Sequence, residues 1–247
     1  MEEIFKGDAD IHFAALGDGD PVVLVHGFGS TFEINWENTG WFDHFLSLGR
    51  KVIALDLRGH GKSDRFHDPG SYRPERMGRD ILQLMDYLGA EAVDLIGYSM
   101  GAWLSMYLLA TSPDRFRRGI LGGIGDNFLT EPGRWERIAQ AMVTTAPESI
   151  TDATLQAVRD FAERAGNDLR ALAACSRGIH AELPPWDRIS RPVLIVGGEK
   201  DEFVGRPERI ASKIPHSTVR IMEGRDHLTL LTDKRFKIEA TQFLTAE

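Results

Sequence analysis

Ser99 stands between two glycines in Gly97-Tyr98-Ser99-Met100-Gly101, a setting in which a serine hydroxyl can become a nucleophile. A β-branched, apolar run (Ala92, Val93, Leu95, Ile96) leads into it, and a helix-forming run from Trp103 to Ala110 leads out. So sharp a strand-to-helix turn strains its central residue, and close neighbours without a Cβ are required. The hydroxyl then stands at a helix N-terminus, where free N–H groups point at any negative charge that forms.

Serine alone is a poor nucleophile. It needs a base to take its proton and a carboxylate to orient that base. Gly197-Gly198-Glu199-Lys200-Asp201 follows a strongly apolar run and offers Asp201. Glu223-Gly224-Arg225-Asp226-His227 follows the last β-type run and offers His227. Together the three residues make acyl transfer the expected chemistry. Asp126 also follows a β-type run and is the rival acid. Other polar residues have plainer readings. Asp226 reads as a turn-bonding carboxylate, His26 and His60 as structural, Arg58 and Asp64 as loop-fixing, and Cys175 as a small core residue.

The elements that must carry these residues follow an alternating pattern. A hairpin is expected around Ile4-Phe5 and Ile11 to Ala15, then strands at 22–25 and 51–55 with a helix at 41–48 between them. Met77, Ile81, Leu84, Met85 and Leu88 recur at helical spacing, with Pro74 at the start and Gly89 at the end. Further strands are expected leading into Ser99, at Ile120-Leu121, at 193–196 and at 218–222, with helices at 207–214 and 231–244. Strand, helix, strand in this rhythm implies right-handed crossovers and a largely parallel sheet. The rhythm breaks between 127 and 187. That stretch reads as helices at 134–144, 152–165 and 168–180, punctuated by Pro132, Pro147 and Pro184-Pro185.

Composition narrows the field. The chain has 247 residues, 42% of them hydrophobic, which is enough for a sizeable core. A net charge of −8 argues against nucleic acid and anionic membrane as main partners. Cys175 is the only cysteine, so an intrachain disulfide is impossible and a reducing compartment fits. The first residues have neither a basic start nor an apolar run, and no stretch approaches the roughly 18 apolar residues of a membrane span. A soluble cytoplasmic protein is expected. No His/Cys/Asp cluster has metal-ligand spacing and no G-x-G-x-x-G opens a helix after the first strands, so neither metal nor cofactor is expected.

On these motifs the chain resembles the α/β-hydrolase superfamily over nearly its whole length. His26-Gly27-Phe28-Gly29-Ser30 looks like the family's oxyanion loop, and Asp56 to Asp64 like its DxRGxGxS loop. Gly97 to Gly101 looks like its nucleophile elbow, and the order Ser99, Asp201, His227 is the family's order. The chain is most similar to small bacterial carboxylesterases and related lactonases and C–C hydrolases. The resemblance implies an α/β-hydrolase fold with a mostly parallel sheet flanked by helices. It also implies a core of 1–126 and 187–247 and a helical cap at 127–186. By position, Ser99 would be the nucleophile, Asp201 the acid and His227 the base, with the backbone N–H groups of Phe28 and Met100 as the oxyanion hole. A serine at this position excludes the family's epoxide hydrolases and haloalkane dehalogenases, which need a carboxylate there.

The expected function is hydrolysis of small-molecule carboxylic esters through an acyl-enzyme. Trp103, Phe128, Leu129, Trp135 and Met142 are expected to line the pocket, and Phe28, Met100 and Trp103 point to an uncharged acyl group of short or medium length. Trp135, Met142 and Trp186 have packing as their second reading. Two alternatives stay open: C–C bond or enol-lactone hydrolysis on the same triad, and a receptor that binds ligand without turnover.

Overall fold

The computed structural model describes residues 2–131, 133–180 and 183–246. Met1, Pro132, Ala181, Glu182 and Glu247 lie outside the described residues. So do the expected break at Pro132 and two positions of the expected 127–186 insertion.

The apolar runs become strands of one sheet: β1 (Glu2–Lys6), β2 (Asp10–Leu16), β3 (Pro21–Val25), β4 (Lys51–Leu55), β5 (Val93–Tyr98), β6 (Phe116–Gly122), β7 (Val193–Gly198) and β8 (Ser217–Met222). Their spatial order is β1-β2-β4-β3-β5-β6-β7-β8. The β1–β2 and β2–β4 pairings are antiparallel, and the others are parallel. Successive side chains on a strand point to opposite faces, and here both faces are buried. Val23 and Val25 therefore enter one core while Val22 and Leu24 enter the other, and Ile53 and Leu55 separate from Val52 and Ala54 in the same way.

The helices are α1 (Trp41–Ser47), α2 (Pro74–Tyr87), α3 (Met100–Thr111), α4 (Asn127–Thr130), α5 (Arg134–Val143), α6 (Ala153–Arg164), α7 (Leu169–Ile179), α8 (Pro207–Ala211) and α9 (Lys234–Thr245). Trp41, Phe42 and Phe45 of α1 and Phe236, Ala240 and Leu244 of α9 fill one core. Met77, Ile81, Leu84 and Met85 of α2 and most of α3 fill the other. Among the described residues no helix is long and apolar enough to cross a membrane.

Helices α4 to α7 occupy the chain between β6 and β7. Asp152 and Asp168 cap α6 and α7, their carboxylates accepting N–H bonds of the first turn. Ile138, Ala139, Met142, Ala162, Leu172 and Ala173 give α5, α6 and α7 a cluster of their own. Cys175 and Ile179 of α7 reach instead into the core beneath the sheet. Asn167, between α6 and α7, donates to the Gly29 carbonyl and accepts from the Gly61 N–H, tying these helices to both glycine-rich loops.

Two helix boundaries and one further turn differ from the sequence expectation. The last helix begins at Lys234 rather than at 231, because Asp233 accepts the Arg235 N–H and fixes the start there. The expected helix at 207–214 stops at Ala211, short of a turn in which His216 takes φ 56°. A π-helical turn at Glu33–Glu37 had no signal in the sequence.

The 56–64 loop is fixed from within. The Asp56 carboxylate accepts from the N–H groups of Phe32 and Lys62 and meets His12 Nδ1 at 2.8 Å. Arg58 forks onto Asp80 with two bonds of 2.6 Å. Asp64 accepts the Asp10 N–H. His26 Nε2 accepts the Leu57 N–H, so Nδ1 carries the proton and donates to the Gly27 carbonyl. The structural readings of Arg58, Asp64 and His26 agree with these bonds.

Burial holds the pKa of His26, His44 and His180 below the ordinary histidine value and takes His60 down to about 3. Below about pH 6.5 the unfolded chain binds more protons at these sites than the folded chain does. Stability must therefore fall as the pH drops from about 6.5 toward 3, by about 1.4 kcal/mol per pH unit for each fully neutral histidine. For His12, burial opposes the charged ring, but the Asp56 carboxylate outweighs it and raises the pKa. That group works in the opposite sense, losing its contribution as the pH rises. Thermal midpoints measured from pH 7 to pH 5 should fall, and His60→Asn should make the descent shallower by one proton's worth. An unchanged slope in that variant would contradict a neutral His60.

Candidate active site

The strand β5 ends at Tyr98 and α3 begins at Met100, which leaves Ser99 alone to make the turn at φ 54°, ψ −114°. Such a conformation costs a non-glycine residue about 1–3 kcal/mol and persists only where the surroundings impose it. Here the glycines allow it by close approach. A Cβ on Gly97 would lie 2.3 Å from the Gly101 carbonyl oxygen, and one on Gly101 would lie 2.2 Å from that of Val25. The Ser99 N–H donates to the Gly122 carbonyl, which anchors the turn on the neighbouring strand β6.

The other two residues arrive from the ends of β7 and β8. Gly198 lets their loops close, since a Cβ there would meet the Arg225 carbonyl oxygen at 2.3 Å. Lys200 N–H donates to that same carbonyl. The buried Tyr98 hydroxyl, whose pKa burial pushes well up, donates to the His227 carbonyl and ties the loop to β5.

Three residues far apart in sequence thus meet. His227 Nδ1 lies 2.9 Å from Asp201 Oδ2, and His227 Nε2 lies 3.1 Å from Ser99 Oγ. Asp201 is 5% exposed and Ser99 7%. A carboxylate only accepts, so Nδ1 carries the ring proton and Nε2 is left bare to take the hydroxyl proton. The geometry can therefore draw a proton from Ser99 and hold the resulting imidazolium against a buried carboxylate.

Phe28 and Met100 both border this point. A Cβ on Gly27 would lie 3.3 Å from the Ser99 Cβ, so the backbone entering Phe28 runs directly against the serine. Met100 is the first residue of α3, where N–H groups have no intrahelical acceptor. Asp126 is elsewhere: it accepts the Arg206 N–H at 2.7 Å and pairs with Arg209 at 3.2 Å. Asp226 bonds the N–H groups of Leu228 and Thr229 as a turn carboxylate.

A cavity of about 580 Å³ opens over Ser99 and His227. Of the expected pocket residues it takes Trp135. Trp103, Phe128, Leu129 and Met142 do not line it. Trp103 is buried beneath the sheet in a cluster with Phe128, whose ring stacks 6.0 Å away, and Leu129 packs against the same core. Met142 lies two turns beyond Trp135 on α5, where Ala162, Leu172 and Ala173 close over it. The lining that sequence reasoning missed comes from Ile34, Asn35 and Thr39 near the π-helical turn, from Ile138, and from one face of α6 (Thr154, Ala157, Val158, Phe161, Arg164). The α6 spacing was visible in the sequence, but not which of its apolar residues would face the cavity. Phe203 sits against the His227 ring at 4.8 Å, and the Arg134 guanidinium lies 4.3 Å above Phe203. A larger cleft of about 810 Å³ lies elsewhere, bordered by Arg58, Arg73, Arg76 and Arg79, and contains none of the three residues.

Known proteins share this architecture. The sequence model of the alpha/beta hydrolase fold matches residues 20–173. The chain is 26% identical over 238 residues to 3-oxoadipate enol-lactonase 2 of Acinetobacter baylyi, covering 88% of this chain and 86% of that protein. It is 34% identical to epoxide hydrolase 2 of Siraitia grosvenorii over only 108 residues, 44% of this chain and 33% of that one. In structure it superposes on an esterase of Exiguobacterium antarcticum with a TM-score of 0.82 over 100% of both chains at 20% identity, a likeness of fold.

Proposed function

The chain belongs to the alpha/beta hydrolase fold family, and from that premise we propose that it is a serine hydrolase cleaving carboxylic esters through an acyl-enzyme. The observation that carries this reading is the hydrogen-bonded run from Ser99 through His227 to Asp201, opening into an apolar cavity. In this reading Ser99 Oγ attacks the ester carbonyl while His227 Nε2 takes its proton. The N–H groups of Phe28 and Met100 receive the oxyanion. His227 returns the proton to the leaving alcohol, then activates a water that releases the acid. Asp201 holds the imidazole and balances its charge. No step calls for a metal or cofactor. Helices within 127–186 act as the cap, with α5 and α6 covering the acyl group.

Hydrolysis of an enol-lactone on the same residues is the second reading, favoured by the likeness to 3-oxoadipate enol-lactonase 2 along most of both chains. Lactone opening is also acyl transfer to serine, so one triad serves both. Initial rates on nitrophenyl esters, an enol-lactone and a ring-cleavage diketone separate ester, lactone and C–C cleavage. Sustained turnover on one of them is the expected result. A single burst on every substrate would mean a receptor.

The cap reading makes its own prediction. Trp135 lines the cavity from α5, and each buried CH₂ of an acyl chain is worth about 0.8 kcal/mol. Trp135→Ala should therefore lower kcat/KM for a hexanoyl ester by roughly ten-fold or more relative to the acetyl ester. The check is that ratio in wild type and variant, with folding followed by thermal melting. An unchanged ratio would make Trp135 packing alone. Equal loss on both esters would mean that the cap positions the triad loops.

A further inference from the structure

We propose that the Arg164 guanidinium receives a carboxylate carried on the far end of the acyl group, so that the preferred substrates are half-esters or lactones bearing one free carboxylate. The proposal rests on the ester-hydrolase reading and names its substrate class. Among the described residues Arg164 is the one permanently charged side chain lining the cavity over Ser99, and no acidic residue lines it. Among the described residues it has no ion pair and no side-chain hydrogen bond. Arg134, Arg159 and Arg177 of the neighbouring turns are paired instead, with Glu131, Glu163 and Glu136.

Its place in the fold puts it at the solvent-open edge of the cavity. Ala157, Phe161 and Arg164 follow one another along the cavity face of α6 at spacings of four and three. Phe161 and Ala162 lie against Gly29 of the loop next to Ser99. Arg164 is therefore one helical turn past the point where α6 crosses that loop, and a turn advances about 5 Å. An acyl chain running from Ser99 along this face meets apolar side chains first and a cation last. The bland reading is a solvated arginine in the last turn of a helix, where its charge suits the helix dipole. Arg164 is exposed, so in that reading water takes its five N–H donors; at the cavity edge no lining carboxylate competes for them. A single guanidinium matches one carboxylate. A doubly charged phosphate would leave excess charge against apolar walls. The uncharged acyl group expected from sequence describes the walls nearer Ser99; the far end differs.

The experiment compares the nitrophenyl half-ester of adipic acid with the nitrophenyl ester of methyl adipate, its uncharged counterpart, on wild type, Arg164→Gln and Arg164→Lys. The ratio of kcat/KM, charged over uncharged, should fall about ten-fold in Arg164→Gln, mainly through KM, and be partly restored in Arg164→Lys. The wild-type ratio should also shrink with added salt, because the site is open to solvent. A ratio unmoved by Arg164→Gln overturns the assignment. Binding of monomethyl adipate against dimethyl adipate to the Ser99→Ala protein reads the same contact without turnover. Preferred binding of the monoacid without hydrolysis by wild type would reject the ester reading and keep the anion site. Hydrolysis of both nitrophenyl esters with equal binding of monomethyl and dimethyl adipate would keep the ester reading and reject the anion site.

Discussion

Ser99→Ala is expected to abolish ester hydrolysis and leave the fold intact. The hydroxyl is the only atom at the turn that can form the acyl-enzyme, and it stands 3.1 Å from the bare nitrogen of His227. Alanine keeps the Cβ of Ser99 and adds no bulk at the turn. The bonds that anchor the turn, from the Ser99 N–H to Gly122 and from Trp103 to the Ser99 carbonyl, are backbone bonds and survive. Losses for triad members run to about 10⁴-fold or more. Steady-state hydrolysis of a nitrophenyl ester measures the loss, and a thermal melt confirms folding. A folded variant keeping more than a tenth of wild-type turnover, a margin of about 1.4 kcal/mol, would remove Ser99 from the chemistry.

Asp201→Asn should cost about 10⁴-fold in kcat, and Asp126→Asn should cost little. The Asp201 carboxylate accepts from His227 Nδ1 over an N–O distance of 2.9 Å and balances the imidazolium. An amide does neither and can present an N–H to Nδ1, which favours the wrong tautomer. Asp126 instead accepts the Arg206 N–H and pairs with Arg209, contacts that brace a loop at the edge of the site. Rate constants for the two variants on one ester decide the matter. A silent Asp126 variant beside a crippled Asp201 variant is the expected pair, and the reverse would move the acid to the end of β6.

The sequence was legible where one local cause fixes the structure. The strands at 51–55 and 193–198 were visible because burial on both faces demands an unbroken apolar run. The helices of the insertion were visible because Asp152 and Asp168 cap them and their apolar residues recur at helical spacing. Ser99, Asp201 and His227 stand out in the sequence as candidates, because an elbow and two loops after strands leave few others. Pocket lining was much less legible. Trp103, Phe128, Leu129 and Met142 are apolar for the same reason as Trp135, yet four of these five serve cores rather than the cavity. Apolar periodicity shows that a residue is buried. It does not show whether a neighbouring helix or an open space lies opposite. Asn35 shows a second limit. Its side chain accepts the Gly27 N–H at 2.7 Å and so shapes the loop beside Ser99, but the π-helical turn that brings it there leaves no mark on composition or spacing.

The most direct test of the account is covalent. A fluorophosphonate mimics the tetrahedral intermediate and stays on the attacking oxygen. Wild-type protein treated with it and analysed as peptides by mass spectrometry should carry one equivalent, on Ser99, with hydrolysis lost in proportion. Label on another residue, or full ester hydrolysis by protein already labelled on Ser99, would contradict the acyl-enzyme mechanism.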